Sequence, residues 1–242
     1  EVLGLPSVVL INDFSAVASG LHLLRPADLK TLQAGQPAAD GPLALLGAGT
    51  GLGTAFVLQD SVPPRVLPSE AGHMSFAPSS PTEDALLAFL RDEFGHVSYE
   101  RVLSGAGLVN VYRFLVASGF APENPAVSQE MGTEDPAAVI TRHAGAGTDP
   151  NCRRAVEMFV SVYGAHAGNL ALALLATGGV FIAGGIAPRI VAQLAAGSFI
   201  KAFLAKGRLA DFISAIPVHV ITNPDVGLLG AAAVGARSAR AG

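Results

Sequence analysis

Short apolar segments that end in polar or glycine-rich turns recur along the chain and alternate with helical patterns. Such segments, rich in Val, Ile and Leu and bounded by polar residues, are typical of buried strands. Alternation of strands with helices predicts an α/β fold. The strands are predicted at residues 7–11, 43–46, 54–59, 180–183 and 217–222.

Helices are predicted where apolar residues recur at helical spacing, and Gly178 and Gly179 are expected to end the longest of them. Three stretches rich in Gly, Pro or polar residues, at 33–42, 61–81 and 118–136, are predicted to be loops. The predicted helices are 14–24, 82–93, 108–115, 136–144, 150–175, 187–196, 200–204 and 226–239.

Composition excludes several classes of protein. The formal net charge is −4, whereas a nucleic-acid-binding surface would need a basic excess. The single cysteine, Cys152, excludes an internal disulfide framework and a zinc site made of several cysteines. A long uncharged stretch lies between Glu157 and Arg189, but His166, Asn169 and paired glycines interrupt it, so no membrane span is expected. We therefore expect a cytoplasmic protein.

Three predicted strands end in turns suited to ligand binding: Asn12–Asp13, Gly47–Gly53 and Gly184–Gly185. Ligands of open α/β sheets bind at the carboxyl ends of strands. Glycine lets backbone N–H groups approach anionic oxygens closely, and the hydroxyl of Thr50 adds a donor. These turns together predict a phosphate site.

The pattern of the glycine loop distinguishes between kinds of phosphate site. No lysine stands in a Walker pattern, and G-x-G-x-x-G fails because Leu52 or Thr54 occupies the third glycine position. The loop also joins two strands, where a dinucleotide fold needs a helix after the loop. A hairpin that cradles a terminal phosphate fits the pattern, and a flexible hairpin turn is the alternative.

Several polar side chains are candidates for chemistry near these turns. Asp13 could act as a general base for a hydroxyl, or Asn12 and Asp13 could cap the following helix. Glu70, His73 and Glu100 could bind the hydroxyls of a polyol, or they could lie on solvated surfaces. The remaining histidines show no metal-ligand spacing and are expected to be structural: His22, His96, His143, His166 and His219.

Five motifs in order along nearly the whole chain resemble those of the bacterial-type glucokinase family, in the hexokinase-like and actin-like superfamily. The resemblance implies an α/β fold of the two-lobed actin-like (ribonuclease H-like) ATPase type. It also implies ATP-dependent phosphorylation of the glucose 6-hydroxyl, with Mg²⁺ accompanying ATP. The motifs are LINDF at 10–14, GAGTGLG at 47–53, EAGHMSFAP at 70–78, GHVSYERVLSG at 95–105 and GGVFIAGGI at 178–186.

The resemblance also implies roles for individual residues and a division into lobes. Asp13 would be the catalytic base, and Asn12, Glu70, His73 and Glu100 would hold the sugar hydroxyls. Gly49, Thr50 and Gly51 would form the second phosphate loop, with Gly184 and Gly185 beside the adenosine. Residues 1–46 would belong to the small lobe and 47–242 to the large lobe, with the last helix returning to the small lobe. A homodimer is compatible with the family.

The sequence departs from the family pattern in two ways. Sugar kinases of this superfamily carry a D-x-G-G-T type first phosphate loop, and no such motif stands in this sequence. The resemblance therefore predicts a small lobe incomplete at its N-terminus, with weak ATP binding and slow or no turnover. A Cys-rich zinc motif marks the related repressor/open-reading-frame/kinase family, and one cysteine cannot form it, so no structural metal is expected.

Other functions remain open on the sequence alone. A kinase for mannose or an amino sugar would use the same sugar-contact residues. A non-catalytic module that binds sugar or nucleotide would keep the same turns. A dinucleotide-dependent oxidoreductase is disfavoured because a strand follows the glycine loop.

Overall fold

A six-stranded mixed sheet forms the centre of the chain, which a computed structural model describes over residues 8–241. The strand order is β1-β6-β5-β2-β3-β4. Strand β2 runs parallel to β5, β5 runs parallel to β6, and the remaining pairs are antiparallel. The predicted α/β class is confirmed. The strands are β1 Leu29–Gln33, β2 Leu43–Ala48, β3 Leu52–Leu58, β4 Arg65–Ser69, β5 Gly179–Ala183 and β6 Val218–Ile221.

Helices cover both faces of this sheet. Two of them, α1 and α10, pack on one face, and the other eight contribute buried residues to the core on the opposite face. The α-helices are α1 Asp13–Gly20, α2 Pro81–Phe94, α3 Gly105–Ala117, α4 Pro125–Met131, α5 Pro136–Ala146, α6 Pro150–Leu174, α7 Val191–Ala195, α8 Ser198–Leu204, α9 Ala210–Ser214 and α10 Val226–Ala241.

The central strand β2 serves both cores because side chains alternate across a strand. Leu43 and Leu45 join the core with α1 and α10, whereas Ala44 and Leu46 join the larger core on the other face. All six residues of β2 are buried, which explains its continuous apolar sequence. The strand ends directly in the glycine loop, so the core of the molecule fixes where that loop begins.

The predicted strand at residues 7–11 is wrong over its described part. Ser7 lies outside the described residues, and 8–12 form no regular element. Leu10 is 95% exposed. A β-strand requires a hydrogen-bonded neighbour, and none of the strands within residues 8–241 pairs with this segment. The apolar composition of the segment was therefore not sufficient to predict a strand.

The loops predicted at 61–81 and 118–136 contain regular elements. Strand β4 lies in the first and helix α4 in the second. Within residues 8–241, strand β4 pairs only with β3, and all five of its side chains are half-buried or exposed, so it lacks an apolar signature. Pro68 stands in it, as an edge strand permits. Helix α4 is short but capped by the Asn124 side chain, which accepts from the Ala126 N–H at 3.1 Å.

Some predicted boundaries shift in the structure. Helix α1 ends at Gly20 and continues as a 3-10 turn over Leu21–Leu23. The helix predicted at 187–196 is a 3-10 turn over Ala187–Ile190 followed by α7. The predicted lobe boundary at residue 46 stays a prediction, and β2 extends across it. Over residues 8–241, no helix combines the length and the apolarity that a membrane crossing requires.

Helices α1 and α10 cross at two glycines. A Cβ atom on Gly20 would collide with the carbonyl oxygen of Val226, and one on Gly230 would collide with that of Ala16. The absence of side chains at these positions lets the two backbones touch. The crossing fixes the orientation of α1, whose first turn carries Asp13.

We expect Gly230→Ala to lower the free energy of unfolding by about 1–3 kcal/mol, because the added methyl overpacks the crossing. Gly235→Ala is the matched control, since Gly235 lies on the same helix with open space around it. The control should be neutral or slightly stabilising, because alanine favours helix over glycine. Urea unfolding measures both variants, and equal stabilities would contradict the close crossing.

Candidate active site

The sequence-predicted site residues gather in two adjoining cavities at the carboxyl end of β2. The first, which we call the carboxylate cavity, has a volume of about 370 Å³. The second, the glycine-loop cavity, has a volume of about 390 Å³ and includes Gly185 in its lining. The predicted residues that line the carboxylate cavity are Asn12, Asp13, Gly49, Thr50, Gly51, Glu70, His73, Glu100 and Gly184.

The start of α1 brings Asp13 into the carboxylate cavity. The Asn12 side chain caps the helix by accepting from the Ser15 N–H at 3.1 Å. Asp13 is the first helical residue, and its Oδ1 accepts from the Phe14 N–H at 2.8 Å. The capping alternative therefore holds for Asn12, whereas the exposed Asp13 carboxylate remains in the cavity wall.

Phe14 anchors that helix start on the glycine loop. Gly47 and Gly53 face each other across β2 and β3, and a Cβ atom on either would collide with the Phe14 ring. Glycine is required at both positions for this close approach. Sequence reasoning assigned these glycines to ligand binding and missed their role as the seat of an aromatic ring. The sequence signal for this contact was an aromatic residue, Phe14, directly after Asp13.

Glu100 braces the glycine loop from a 3-10 turn, Tyr99–Arg101. Its Oε2 accepts from the Leu52 N–H at 2.9 Å, and a Cβ atom on Gly51 would lie 2.6 Å from that oxygen. Within the loop, the Gly49 N–H donates to the Gly51 carbonyl oxygen at 2.8 Å. The Gly105 N–H at the start of α3 donates to the Gly49 carbonyl oxygen at 2.8 Å. These bonds tie the loop to the Glu100 side chain and to the start of α3.

Glu70 directly precedes a 3-10 turn, Ala71–His73, that ends in His73 and that β3 holds in place. The Thr54 hydroxyl donates to the Ser69 carbonyl oxygen at 2.9 Å and accepts from the Ala71 N–H at 3.1 Å. The His73 Nε2 lies 3.8 Å from Glu70 Oε2, and both side chains are largely exposed to the cavity and solvent. Thr54 is a buried supporting residue that sequence reasoning did not identify.

The turn at Gly184 packs against the end of β2. Gly184 has a φ of +84°, and a Cβ atom there would collide with the Ala48 carbonyl oxygen, which also accepts from the Ile186 N–H at 3.2 Å. The Ala48 N–H donates to the Tyr163 hydroxyl at 3.0 Å. Complete burial raises the pKa of Tyr163 above its usual value, so this hydroxyl stays neutral. Tyr163 is a second supporting residue that the sequence did not reveal.

The glycine loop forms the wall between the two cavities, because Gly49 and Thr50 line both. The carboxylate cavity offers Asp13, Glu70 and Glu100 as acceptors of hydrogen bonds from hydroxyls. The glycine-loop cavity adds the start of α3 and Arg189, a cation suited to an anionic ligand. Two compartments with one shared wall can hold two molecules side by side for transfer of a group between them. No cluster of three or more metal-binding side chains occurs within residues 8–241.

We expect Gly53→Ala to lower the free energy of unfolding by about 1–3 kcal/mol, because the methyl displaces the Phe14 ring. Gly49→Ala is the matched control in the same loop, since a Cβ atom there meets nothing within 4 Å. Chemical denaturation compares the two. A Gly53→Ala protein as stable as the control would show that Phe14 does not depend on this seat.

A family model, curated relatives and solved structures that carry the name glucokinase are similar to this chain. The family model described as Glucokinase matches residues 1–238. Glucokinase from Nostoc sp. (strain PCC 7120) is 44% identical over 98% of this chain and 73% of its own length. The crystal structure of glucokinase from an Antarctic psychrotroph superposes with a TM-score of 0.82 at 34% identity, covering 93% of this chain and 67% of that one.

A more distant structure shares the fold. The ROK family glucokinase from Streptomyces griseus, solved in complex with glucose and AMPPNP, has a TM-score of 0.62 at 20% identity. The alignment covers 96% of this chain and 69% of the Streptomyces chain. At this identity the likeness concerns the fold alone.

Proposed function

Since this chain belongs to the glucokinase family and catalyses ATP-dependent phosphorylation of glucose, we propose that the reaction occurs at the shared wall of its two cavities. Its fold is the actin-like ATPase fold of those relatives. The observation that carries the proposal is that Gly49 and Thr50 line both cavities. A sugar in the carboxylate cavity would thereby lie next to the phosphates of a nucleotide in the glycine-loop cavity.

Asp13 is proposed as the general base. Its carboxylate would accept the proton of the glucose 6-hydroxyl as the oxygen attacks the terminal phosphorus of ATP. The new bond joins the sugar oxygen to phosphorus, the bond from phosphorus to the bridging oxygen breaks, and ADP leaves. The capped helix start and the Phe14 seat support this role because they fix the carboxylate at the cavity wall.

Glu70, His73, Glu100 and Asn12 are proposed to hold the sugar hydroxyls. Carboxylates accept hydrogen bonds from hydroxyls strongly, and three carboxylates, including that of Asp13, line one cavity. Glu100 also bonds the Leu52 N–H of the glycine loop. A sugar held by Glu100 would therefore be positioned relative to the phosphates by a single side chain.

Hydrogen bonds within the glycine loop reduce the number of its N–H groups that could bind phosphate. The Gly49 N–H already donates to Gly51, and the Leu52 N–H already donates to Glu100. We propose that the N–H groups of Thr50 and Gly51, with the Thr50 hydroxyl, bind the phosphates. The adenosine would lie beside Gly184 and Gly185, of which Gly185 lines the glycine-loop cavity and Gly184 the carboxylate cavity.

Mg²⁺ is proposed to enter with ATP and to be held by the phosphates and the Thr50 hydroxyl, a hard oxygen ligand at the shared wall. When bound, it would offset charge on the transferred phosphoryl group. Because ATP is the phosphoryl donor, we propose the cytoplasm as the location. The homodimer that the family suggests stays a prediction, and so do the weak ATP binding and the slow or absent turnover expected from the missing D-x-G-G-T motif.

Asp13→Asn should lower kcat by about 10²–10⁴-fold, because the amide cannot accept the hydroxyl proton. Glucose affinity should remain nearly unchanged. A coupled assay for ADP release and calorimetric titration of glucose measure the two quantities. Asp92→Asn, an exposed position on α2 outside both cavities, is the control. An unchanged kcat in Asp13→Asn would remove Asp13 from the role of base.

Glu70→Gln should weaken glucose binding by about 10- to 100-fold, as expected for loss of charge-assisted hydrogen bonds. Affinity for ATP should not change. Calorimetry with glucose, mannose, glucosamine and galactose compares the variant with the parent, and Glu93→Gln on α2 is the exposed control. Equal glucose affinity in parent and variant would exclude Glu70 from the sugar site. Tighter binding of mannose or glucosamine than of glucose by the parent would favour another hexose kinase.

A further inference from the structure

A half-buried chain of hydrogen bonds runs from Lys206 to the turn that carries Glu100. The Lys206 ammonium donates to Asn169 Oδ1 at 2.7 Å and to the Ala165 carbonyl oxygen at 2.9 Å. Asn169 Nδ2 in turn donates to the Tyr99 hydroxyl at 3.0 Å. The direction of the chain is fixed because a lysine can only donate, so the asparagine must present its oxygen to Lys206 and its nitrogen to Tyr99.

Tyr99 is the buried end of this chain and joins the two turns of the carboxylate cavity. Its N–H donates to the Met74 carbonyl oxygen at 2.9 Å, directly after the turn that carries His73. Its carbonyl oxygen accepts from the N–H groups of Val102 and Leu103, at 2.9 and 2.7 Å. The next residue is Glu100. A shift of Tyr99 would therefore change the spacing between Glu70 and His73 on one side and Glu100 on the other.

Helix α6 packs against the Tyr99 ring through His166. The His166 ring stacks on it with 3.8 Å between centroids, and Phe76 meets it edge-on at 5.8 Å. Tyr99 is 2% exposed and His166 is fully buried. Burial and the charge of Lys206 lower the pKa of His166 to about 4, so the stacked imidazole is neutral at neutral pH. Packed against both rings, the Tyr99 ring places its hydroxyl within hydrogen-bond distance of Asn169.

The contact of the Lys206 ammonium with Asn169 depends on two glycines of α6. A Cβ atom on Gly164 would collide with the Phe199 carbonyl oxygen of α8, and one on Gly168 would lie 2.5 Å from the Lys206 Cε. These small residues, one helical turn apart, let α8 approach α6 closely. The lysine stem then lies over Gly168, and the ammonium meets the Ala165 carbonyl oxygen and the next polar side chain, Asn169.

We propose that Lys206, through Asn169 and Tyr99, is a positioning residue that sets the affinity of the sugar site. The proposal rests on the proposed function, since it concerns the cavity assigned to glucose. Lys206 lines neither of the two cavities, so its effect on glucose must pass through Tyr99. Nucleotide binding at the opposite side of the glycine loop should be affected much less.

The experiment is a double-mutant cycle in which calorimetry measures affinity for glucose and for ADP. Lys206→Met and Tyr99→Phe should each weaken glucose binding about 5- to 10-fold and leave ADP affinity within about 2-fold. The double variant should bind glucose no more weakly than Tyr99→Phe alone, because both changes break one chain. Lys206→Arg should restore most of the affinity. Lys201→Met, an exposed lysine on α8, is the matched control.

Three results would overturn the inference. Lys206→Met could lower the melting temperature while the folded protein binds glucose as tightly as the parent, which is the signature of a merely structural residue. The two single effects could add in the double variant. Glucose and ADP affinity could fall together, which would indicate general disruption. A parent chain that binds no glucose would refute the proposed function and this inference together, whereas normal parent binding with any of the three results refutes the inference alone.

Discussion

The seat of the Phe14 ring on Gly47 and Gly53 is the contact on which the geometry of the site depends. It joins the first turn of α1 to both strands of the glycine hairpin, so that the Asp13 carboxylate and the loop occupy fixed positions relative to each other. A general base acts over hydrogen-bond distance, so small displacements of the carboxylate change its efficiency strongly. Packing of one aromatic ring thus sets the distance between the Asp13 carboxylate and the glycine loop, on which the proposed reaction depends.

Glu100, proposed to bind the sugar, is likewise held at a fixed position relative to the glycine loop. Its Oε2 accepts from the Leu52 N–H, which ties the side chain to the loop and would leave that N–H unavailable to the proposed phosphates. The geometry leaves the Thr50 and Gly51 N–H groups as the loop's donors. In the proposed site, the sugar and the phosphates would thereby bind around one hairpin. That is what in-line transfer between two substrates requires, because its catalysis consists mostly of positioning and electrostatics.

The sequence predicted those parts of the molecule whose signal is local. The glycine loop, the Asn12 cap and the long helix α6 carry their signals within a few residues, and the structure contains all three. The predicted strand at 7–11 failed over its described part because pairing depends on a distant partner, which composition cannot reveal. Strand β4 was missed because an edge strand needs few apolar residues. The seat of Phe14 and the Thr54 support join residues far apart in sequence, and no single segment indicates such contacts.

Helix α6 explains why a mainly apolar segment contains several polar residues. The buried Tyr163 holds the end of β2 beneath the glycine loop, and the half-buried Asn169 holds Tyr99 between the turns that carry His73 and Glu100. A buried polar group costs free energy unless it is hydrogen-bonded, so each of these side chains is strongly specified in position once its partner is in place. The walls of both cavities are therefore connected by hydrogen bonds to the same helix, α6. Under the proposed assignments, a change in the packing of α8 on α6 would reach the sugar side through Asn169, while Tyr163 would continue to hold the end of β2.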